Sequence, residues 1–409
     1  MKRTLILAIC LTFTGIYISC DKQSPEPDLT PKSLELTKAA PATIQSSNDF
    51  GIELFKKVAE DDKGNLMLSP LSASVALTML LNGCGGETFT QLQGALKYPS
   101  EMTISDINEA YKSLIDQLLN ADPMVKFTLA NAIFYRNEFT VKPPFLNTMS
   151  SAFTATVRGL DFNAPAALNA INNWARDNTS GKIPKVLDGI SADAVMFIMN
   201  ALYFKGDWSN RFDKSATRDR PFYPDGGPVK DVATMNGETG AKIVNGSNYK
   251  AAELPYGRTN FTMDIIVPSG TLDEFYSSFT ADEWNNITSG FDNTVDFGKV
   301  QVYMPKFRFT YEKYLNDQLK AVGMADAFSP LQANLQGISD ESIYVSFVKQ
   351  NTFVAVDEEG TEAAAVTTIG VYTTSMPSQP EFIIDKSFVF AIRERTTNTL
   401  LFIGQVVNP

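Results

Sequence analysis

The stretch at residues 361–373 constrains the fold of this chain more than any other. Its odd-numbered set is Thr361, Ala363, Ala365, Thr367, Ile369, Val371 and Thr373. None is charged and none is proline, which is the face a strand buries when one side of its sheet lies on a core. The same stretch opens on Asp357-Glu358-Glu359-Gly360. It then runs through Gly370 into Thr373-Thr374-Ser375-Met376-Pro377-Ser378-Gln379-Pro380, whose composition predicts an exposed loop. A segment written both as loop and as strand predicts two conformations.

The body of the chain supplies a sheet for such a strand. Between residue 50 and the C-terminus at 409 there is no linker, repeat or low-complexity block, so one large mixed domain is expected. With 44% hydrophobic and 20% charged residues, the composition is that of an ordinary globular protein. The net charge of −11 leaves no basic stripe for nucleic acid, and none is expected as a partner. The chain contains no histidine. That removes Ser-His-Asp and Cys-His mechanisms and every zinc site built on imidazole. Gly83-Cys84-Gly85-Gly86 lacks the later glycine of a dinucleotide fingerprint, and Ser180-Gly181-Lys182 lacks the rest of a phosphate loop. The chain reads as no enzyme, and no cofactor or metal is expected.

The N-terminus reads as an export signal. Lys2-Arg3 precedes an apolar run at residues 5–18, followed by Ser19-Cys20. That run is short for a membrane span, which needs about twenty residues. Ile18-Ser19-Cys20 resembles a bacterial lipobox, in which the cysteine is lipidated, although Tyr17 stands where leucine is more usual; a plain secretory signal is the alternative. Residues 1–20 are therefore expected to be a lipoprotein signal and 21–45 a flexible tether carrying Pro25, Pro27, Pro31 and Pro41. Residues 46–409 form the domain. The expected location is the cell envelope, lipid-anchored at the outer membrane or cell surface, or released from it. Cys84 is the only cysteine left in the domain, so no internal disulfide is expected, and it reads as a small core residue.

Apolar spacing predicts helices at 48–59 (capped by Asn48 or Asp49), 70–81, 105–119 and 169–178. The second is apolar all round and should be buried, with Ser69 as cap and Pro70 at its first position. Strands are predicted at 127–135, 195–204, 261–268, 300–309, 343–356 and 388–392. They do not alternate strictly with helices, which favours an α+β fold.

The run Glu358-Glu359-Gly360-Thr361-Glu362-Ala363-Ala364-Ala365 closely resembles the hinge of the serpins, protease inhibitors that trap their target by conformational change. Further blocks in the family's order are Asn65-Leu66-Met67-Leu68-Ser69-Pro70-Leu71-Ser72, then Asn200-Ala201-Leu202-Tyr203-Phe204-Lys205-Gly206-Asp207-Trp208 with Phe212 and Thr217. Leu254-Pro255-Tyr256-Gly257, Met304-Pro305-Lys306-Phe307 and the C-terminal Leu401-Phe402-Ile403-Gly404-Gln405-Val406-Val407-Asn408-Pro409 complete the set. The resemblance covers nearly the whole chain after about residue 45, and its lipobox makes it similar to bacterial lipoprotein serpins. It implies a single large domain with three β-sheets, eight or nine helices and an exposed reactive-centre loop at about 358–381.

The resemblance also implies roles. Target proteases are the expected partners, bound covalently by a monomeric inhibitor. The hinge comprises Glu358, Gly360, Thr361, Glu362, Ala363, Ala364 and Ala365. Lys306 pairs with Glu358 at the top of the sheet, over Trp208. Ser69, Ser72 and Asn200 match a polar gating cluster in which Gln350 stands where the family often has histidine. Glutamine cannot titrate near neutral pH, so gating is expected to be insensitive to pH there. Counting from Glu358 places the scissile bond at Thr374-Ser375. Counting from the C-terminus favours Met376-Pro377, and Tyr372-Thr373 is a further candidate. No lysine or arginine occurs between Lys349 and Lys386. Elastase-, subtilisin- or chymotrypsin-like targets are therefore expected, not trypsin-like ones. The alternative is a non-inhibitory serpin acting as carrier or chaperone at the cell surface.

Overall fold

The computed structural model describes residues 30–294, 297–361 and 380–409. Its strands in chain order are β1 (Leu66–Leu68), β2 (Val125–Arg136), β3 (Thr156–Leu160), β4 (Met196–Asp207), β5 (Arg218–Phe222), β6 (Lys230–Asn245), β7 (Tyr249–Tyr256) and β8 (Phe261–Pro268). There follow β9 (Gly298–Pro305), β10 (Phe307–Tyr314), β11 (Lys349–Val356), β12 (Gly360–Thr361), β13 (Glu381–Ile383), β14 (Phe388–Glu394) and β15 (Thr399–Val406). With nine α-helices among the described residues, the class is α+β.

The helix Pro70–Leu81 is buried along nearly its whole length, as an apolar surface on every side demands. Ser69 caps it, accepting from the Ser72 backbone N–H, and Pro70 fills the first turn. The neighbouring helix Ala40–Asp61 begins eight residues before its predicted start, inside the stretch expected as a tether. Asn48 is consequently not a cap. It lies buried in mid-helix, where its amide donates to Asn398 O and accepts from Leu400 N. Upstream, the backbone of Lys32 exchanges two hydrogen bonds with the Asn260 side chain. Leu34 and Leu36 pack on the core there.

One sheet runs in the order β10-β11-β12-β4-β2-β3. The other has nine strands, β1-β15-β14-β8-β7-β6-β9-β13, with β5 added to β6. The three expected sheets are present, two of them joined into one hydrogen-bonded body. The sixteen-residue β6 is the reason. Its early residues pair with β5 and β9, its last four with β7, so one strand joins what would be two smaller sheets. The predicted strand 300–309 is likewise two strands. The chain crosses from one sheet to the other at Lys306, between β9 and β10. The predicted strand 343–356 enters the sheet only from Lys349. The main core lies between the two sheets around helices Ala40–Asp61 and Pro70–Leu81, and strands β14 and β15 are buried along their whole length.

Candidate functional site: the gate of the six-stranded sheet

Strand β12 is two residues long and sits between β11 and β4, antiparallel to both. Gly360 pairs with Asp207, and Thr361 with Gly206 on one side and Val356 on the other. Among the described residues β11 and β4 have no direct ladder; they meet through β12 alone. Being antiparallel to the same strand, they run parallel to each other. A Cβ at Gly360 would lie 2.1 Å from Gly206 O, so only glycine lets the chain pass here.

The turn leading into β12 is bound backbone to backbone. Trp208 N donates to Glu359 O at 2.8 Å, and Phe212 N to Glu358 O at 2.9 Å. The Trp208 indole donates to Asp357 O at 2.9 Å. The same indole stacks on Tyr256, with centroids 4.5 Å apart. The Tyr256 hydroxyl shares a hydrogen bond of 2.5 Å with that of Thr361, which is buried. The first inward residue of the hinge is thus already inside the sheet, with its hydroxyl satisfied.

Two buried carboxylates flank that turn. Glu358 accepts from Lys306 Nζ at 2.8 and 3.1 Å and from Thr217 Oγ1 at 2.7 Å. Burial alone would push its carboxyl up, but these hydrogen bonds outweigh it and hold the group below the ordinary glutamate value. Glu359 pairs with Lys214, whose ammonium is mostly in solvent. Its second oxygen has no partner among the described residues. Lys306 is available because the chain changes sheets at that residue, which brings it against the hinge.

Further down, the Gln350 amide clasps the Ser69 backbone, accepting from its N–H at 2.9 Å and donating to its carbonyl at 3.0 Å. Ser69 Oγ donates to Leu401 O, and Thr352 Oγ1 to Met67 O. The helix under the gate is therefore tied to β11. Ser72 contributes its backbone N–H to the Ser69 cap. Asn200 stands apart from these three: it donates to Asn131, which donates to Phe153 O, and its own Oδ1 lacks a partner. The expected polar cluster is divided into two, one part on each side of the gate.

Sequence reasoning gave no role to Tyr256, Lys214, Glu359, Thr352 or Asn131. Tyr256 lies in a block matched to the family but with no polar pattern to mark it. Lys214 and Glu359 stand 145 positions apart, so no local spacing signals the pair. Of the other sites named from the sequence, Cys20, Glu362, Ala363, Ala364, Ala365, Tyr372, Thr374, Ser375 and Met376 lie outside the described residues.

A two-residue strand lies between parallel neighbours, beside a tryptophan and a Lys–Glu pair, at the place where the hinge resemblance implies a gate. A family model, Serpin (serine protease inhibitor), matches residues 45–409. The chain belongs to the serpin family. It is 33% identical over 372 residues to Iripin-5 of Ixodes ricinus, covering 88% of this chain and 93% of that one. It is 32% identical over 375 residues to the leukocyte elastase inhibitor of Sus scrofa, covering 88% and 97%. Among solved structures, the thermophilic serpin tengpin in its native state superposes with a TM-score of 0.82 at 30% identity, covering 92% of this chain and 96% of tengpin. Its latent state gives 0.77 at 28% identity, covering 92% and 100%. As a serpin, the chain falls in a family of protease inhibitors rather than enzymes, whose partners are proteases.

Proposed function

We propose that this serpin is a single-use inhibitor of serine proteases that forms a covalent acyl-enzyme and traps it by inserting its loop between β11 and β4. The observation that carries this reading is Gly360–Thr361, already paired with both flanking strands. A protease serine attacks a loop carbonyl, the amine half of the bond leaves, and an ester joins inhibitor and enzyme. The cut loop is then free to continue β12 as a strand. Strand addition by a serpin loop and its release of stored strain are standard instances of both processes.

The register of β12 says where each residue would go. Continued antiparallel pairing from Thr361 opposite Gly206 and Val356 sets Ala363 opposite Phe204 and Val354, and Ala365 opposite Leu202 and Thr352. Thr367 then falls opposite Asn200 and Gln350, between the two halves of the divided polar cluster. Its hydroxyl would reach the Asn200 oxygen that now has no partner. From Thr361 to a scissile bond at Thr374-Ser375 is an insertion of about fourteen residues, spanning roughly 45 Å. The protease is carried that distance before water completes the hydrolysis.

Specificity follows from the loop. An S1 pocket with a buried aspartate would find no cation between Lys349 and Lys386. Elastase-, subtilisin- and chymotrypsin-like enzymes are the targets, and the similarity to a leukocyte elastase inhibitor agrees with that choice. Cys20 is lipidated after export and holds a monomeric domain at the cell envelope. Because residues near Lys32 are docked on the body, the tether is shorter than 21–45. Incubation with pancreatic elastase and with subtilisin tests the main reading: a detergent-resistant complex near one-to-one stoichiometry is expected. Rapid loop cleavage with full protease activity remaining would overturn it in favour of a carrier or chaperone.

A further inference from the structure

A groove on the far side of the six-stranded sheet has no part in the gate. It lies between β3, the last strand of that sheet, and the helix Pro165–Asn178, and is an open groove of about 500 Å³. Ala166 and Ala170, one turn apart, leave the room. Trp174 on the next turn lines it, its ring held edge-on to Phe134 at 6.1 Å. Thr156 and Arg158 reach the groove from β3, two residues apart and hence on one face of the strand. Asn169, Asn173 and Asp177 recur every four residues and form a polar stripe along the helix.

The asparagines single this groove out. Asparagine is a poor helix former because its side chain competes for the backbone. Elsewhere in this helix the cost has a visible return: Asn172 accepts from Val186 N and Leu187 N, and Asn178 donates to Trp174 O. Asn169 and Asn173 are exposed in the groove and have no hydrogen-bond partner among the described residues. The same holds for the side chains of Thr156 and Arg158. Two amides, a hydroxyl and a guanidinium converge beside an indole, and the fold uses none of them.

We propose that this groove binds a pyranose sugar. The indole offers a flat apolar body for the C–H face of the ring. Each amide presents donors and an acceptor, which matches neighbouring hydroxyls that both donate and accept. The planar fork of Arg158 adds a site for a carboxylate and so favours an acidic sugar, the groove's own carboxylate, Asp177, being paired with Arg176. Few, placed polar groups around an aromatic wall are the ordinary build of a small-ligand site.

Trp208 and Trp284 are buried, so Trp174 reports on the groove through intrinsic fluorescence. The full exported chain is titrated with sialyllactose, tri-N-acetylchitotriose and maltotriose. At least one should give a saturable blue shift with a dissociation constant near or below about 1 mM, sialyllactose the tightest. Asn173→Ala and Asn169→Ala should each weaken that binding by about tenfold, and Arg158→Ala should weaken sialyllactose most. Asn169 and Asn173 are exposed within a helix, so replacement by alanine should raise the melting temperature slightly if it changes it at all, and the reaction with elastase should be unchanged for all three variants. Trp174→Ala should abolish the signal, but it also removes a contact to Phe134, so the asparagine variants decide. Absence of a saturable shift with all three sugars up to about 10 mM overturns the proposal. Binding that survives both asparagine substitutions also overturns it.

Discussion

At the scale of one side chain, the proposed mechanism rests on Thr361. It is buried, its hydroxyl is matched to Tyr256, and every later inward residue must follow it. An arginine there would bring an unpaired charge into the sheet at a cost of about 3–5 kcal/mol. Thr361→Arg is expected to abolish the stable complex while loop cleavage stays fast, because deacylation then wins the race with insertion. Glu362, the next residue, belongs to the other face by alternation, and Glu362→Arg should largely preserve inhibition. Densitometry of complex and cleaved species on denaturing gels reads both, and equal inhibition by the two variants would refute the alternation argument. Glu358 makes a second prediction at this scale. Its carboxyl is held below the ordinary value of 4.5, so its contribution to stability is present above that pH and is lost as pH falls through the lowered value. Between pH 6 and 3 the melting temperature of the native chain should therefore fall further than that of Glu358→Gln. At pH 7 the variant should be less stable by about 1–3 kcal/mol, from losing charged hydrogen bonds to Lys306 and Thr217. Lys306, Glu358 and Trp208 were legible as sites because they stand in blocks with recognisable neighbours. Lys214 was not, since Glu359 is distant in sequence and nothing around Lys214 marks it; Tyr256 stands in such a block, but no polar pattern there points to Thr361.

At the scale of elements, alternation proved a better guide to faces than to partners. Residues 343–348 alternate as a strand should, yet their backbone groups bond outside the sheet: Val348 O accepts from Leu315 N, and Val345 N donates to Ala327 O. Period two reports which side is buried and is silent on whether a neighbour is present. The same limit explains 300–309, where Val300, Val302 and Met304 alternate before Lys306 and Phe307 and Phe309 after it, without showing that the two halves belong to different sheets. It explains Asn48 too, a good cap by type that is used instead to tie a helix to Asn398 and Leu400. The parting of β11 and β4 leads to the third prediction. Cutting the loop between Val371 and Met376 should raise the unfolding temperature by at least about 10 °C. Several kcal/mol of new ladder would give that at roughly 2–4 °C per kcal/mol. An unchanged calorimetric trace after verified cleavage would mean the loop does not insert.

At the scale of the whole molecule, charge and loop composition decide encounters. With no lysine or arginine in the loop, trypsin should be inhibited at least about tenfold more slowly than elastase, a difference of 1.4 kcal/mol in barrier. Thr374→Arg should raise the trypsin rate if Thr374 precedes the scissile bond. Stopped-flow inhibition constants for the two enzymes check both statements, and equal rates for the native chain would show that the loop was misread. One glycine sets the geometry of all these events. Since a side chain at position 360 would strike the Gly206 carbonyl, the hinge cannot slide by a residue in either direction: Glu359 or Thr361 would collide at the same spot. Gly360 therefore works as an indexing pin. In the proposed insertion it would fix the zero from which the inserted strand is measured, and with it the depth at which the trapped protease would come to rest. Lengthening or shortening the loop beyond the pin by two residues would leave every face correct and only move the stopping point.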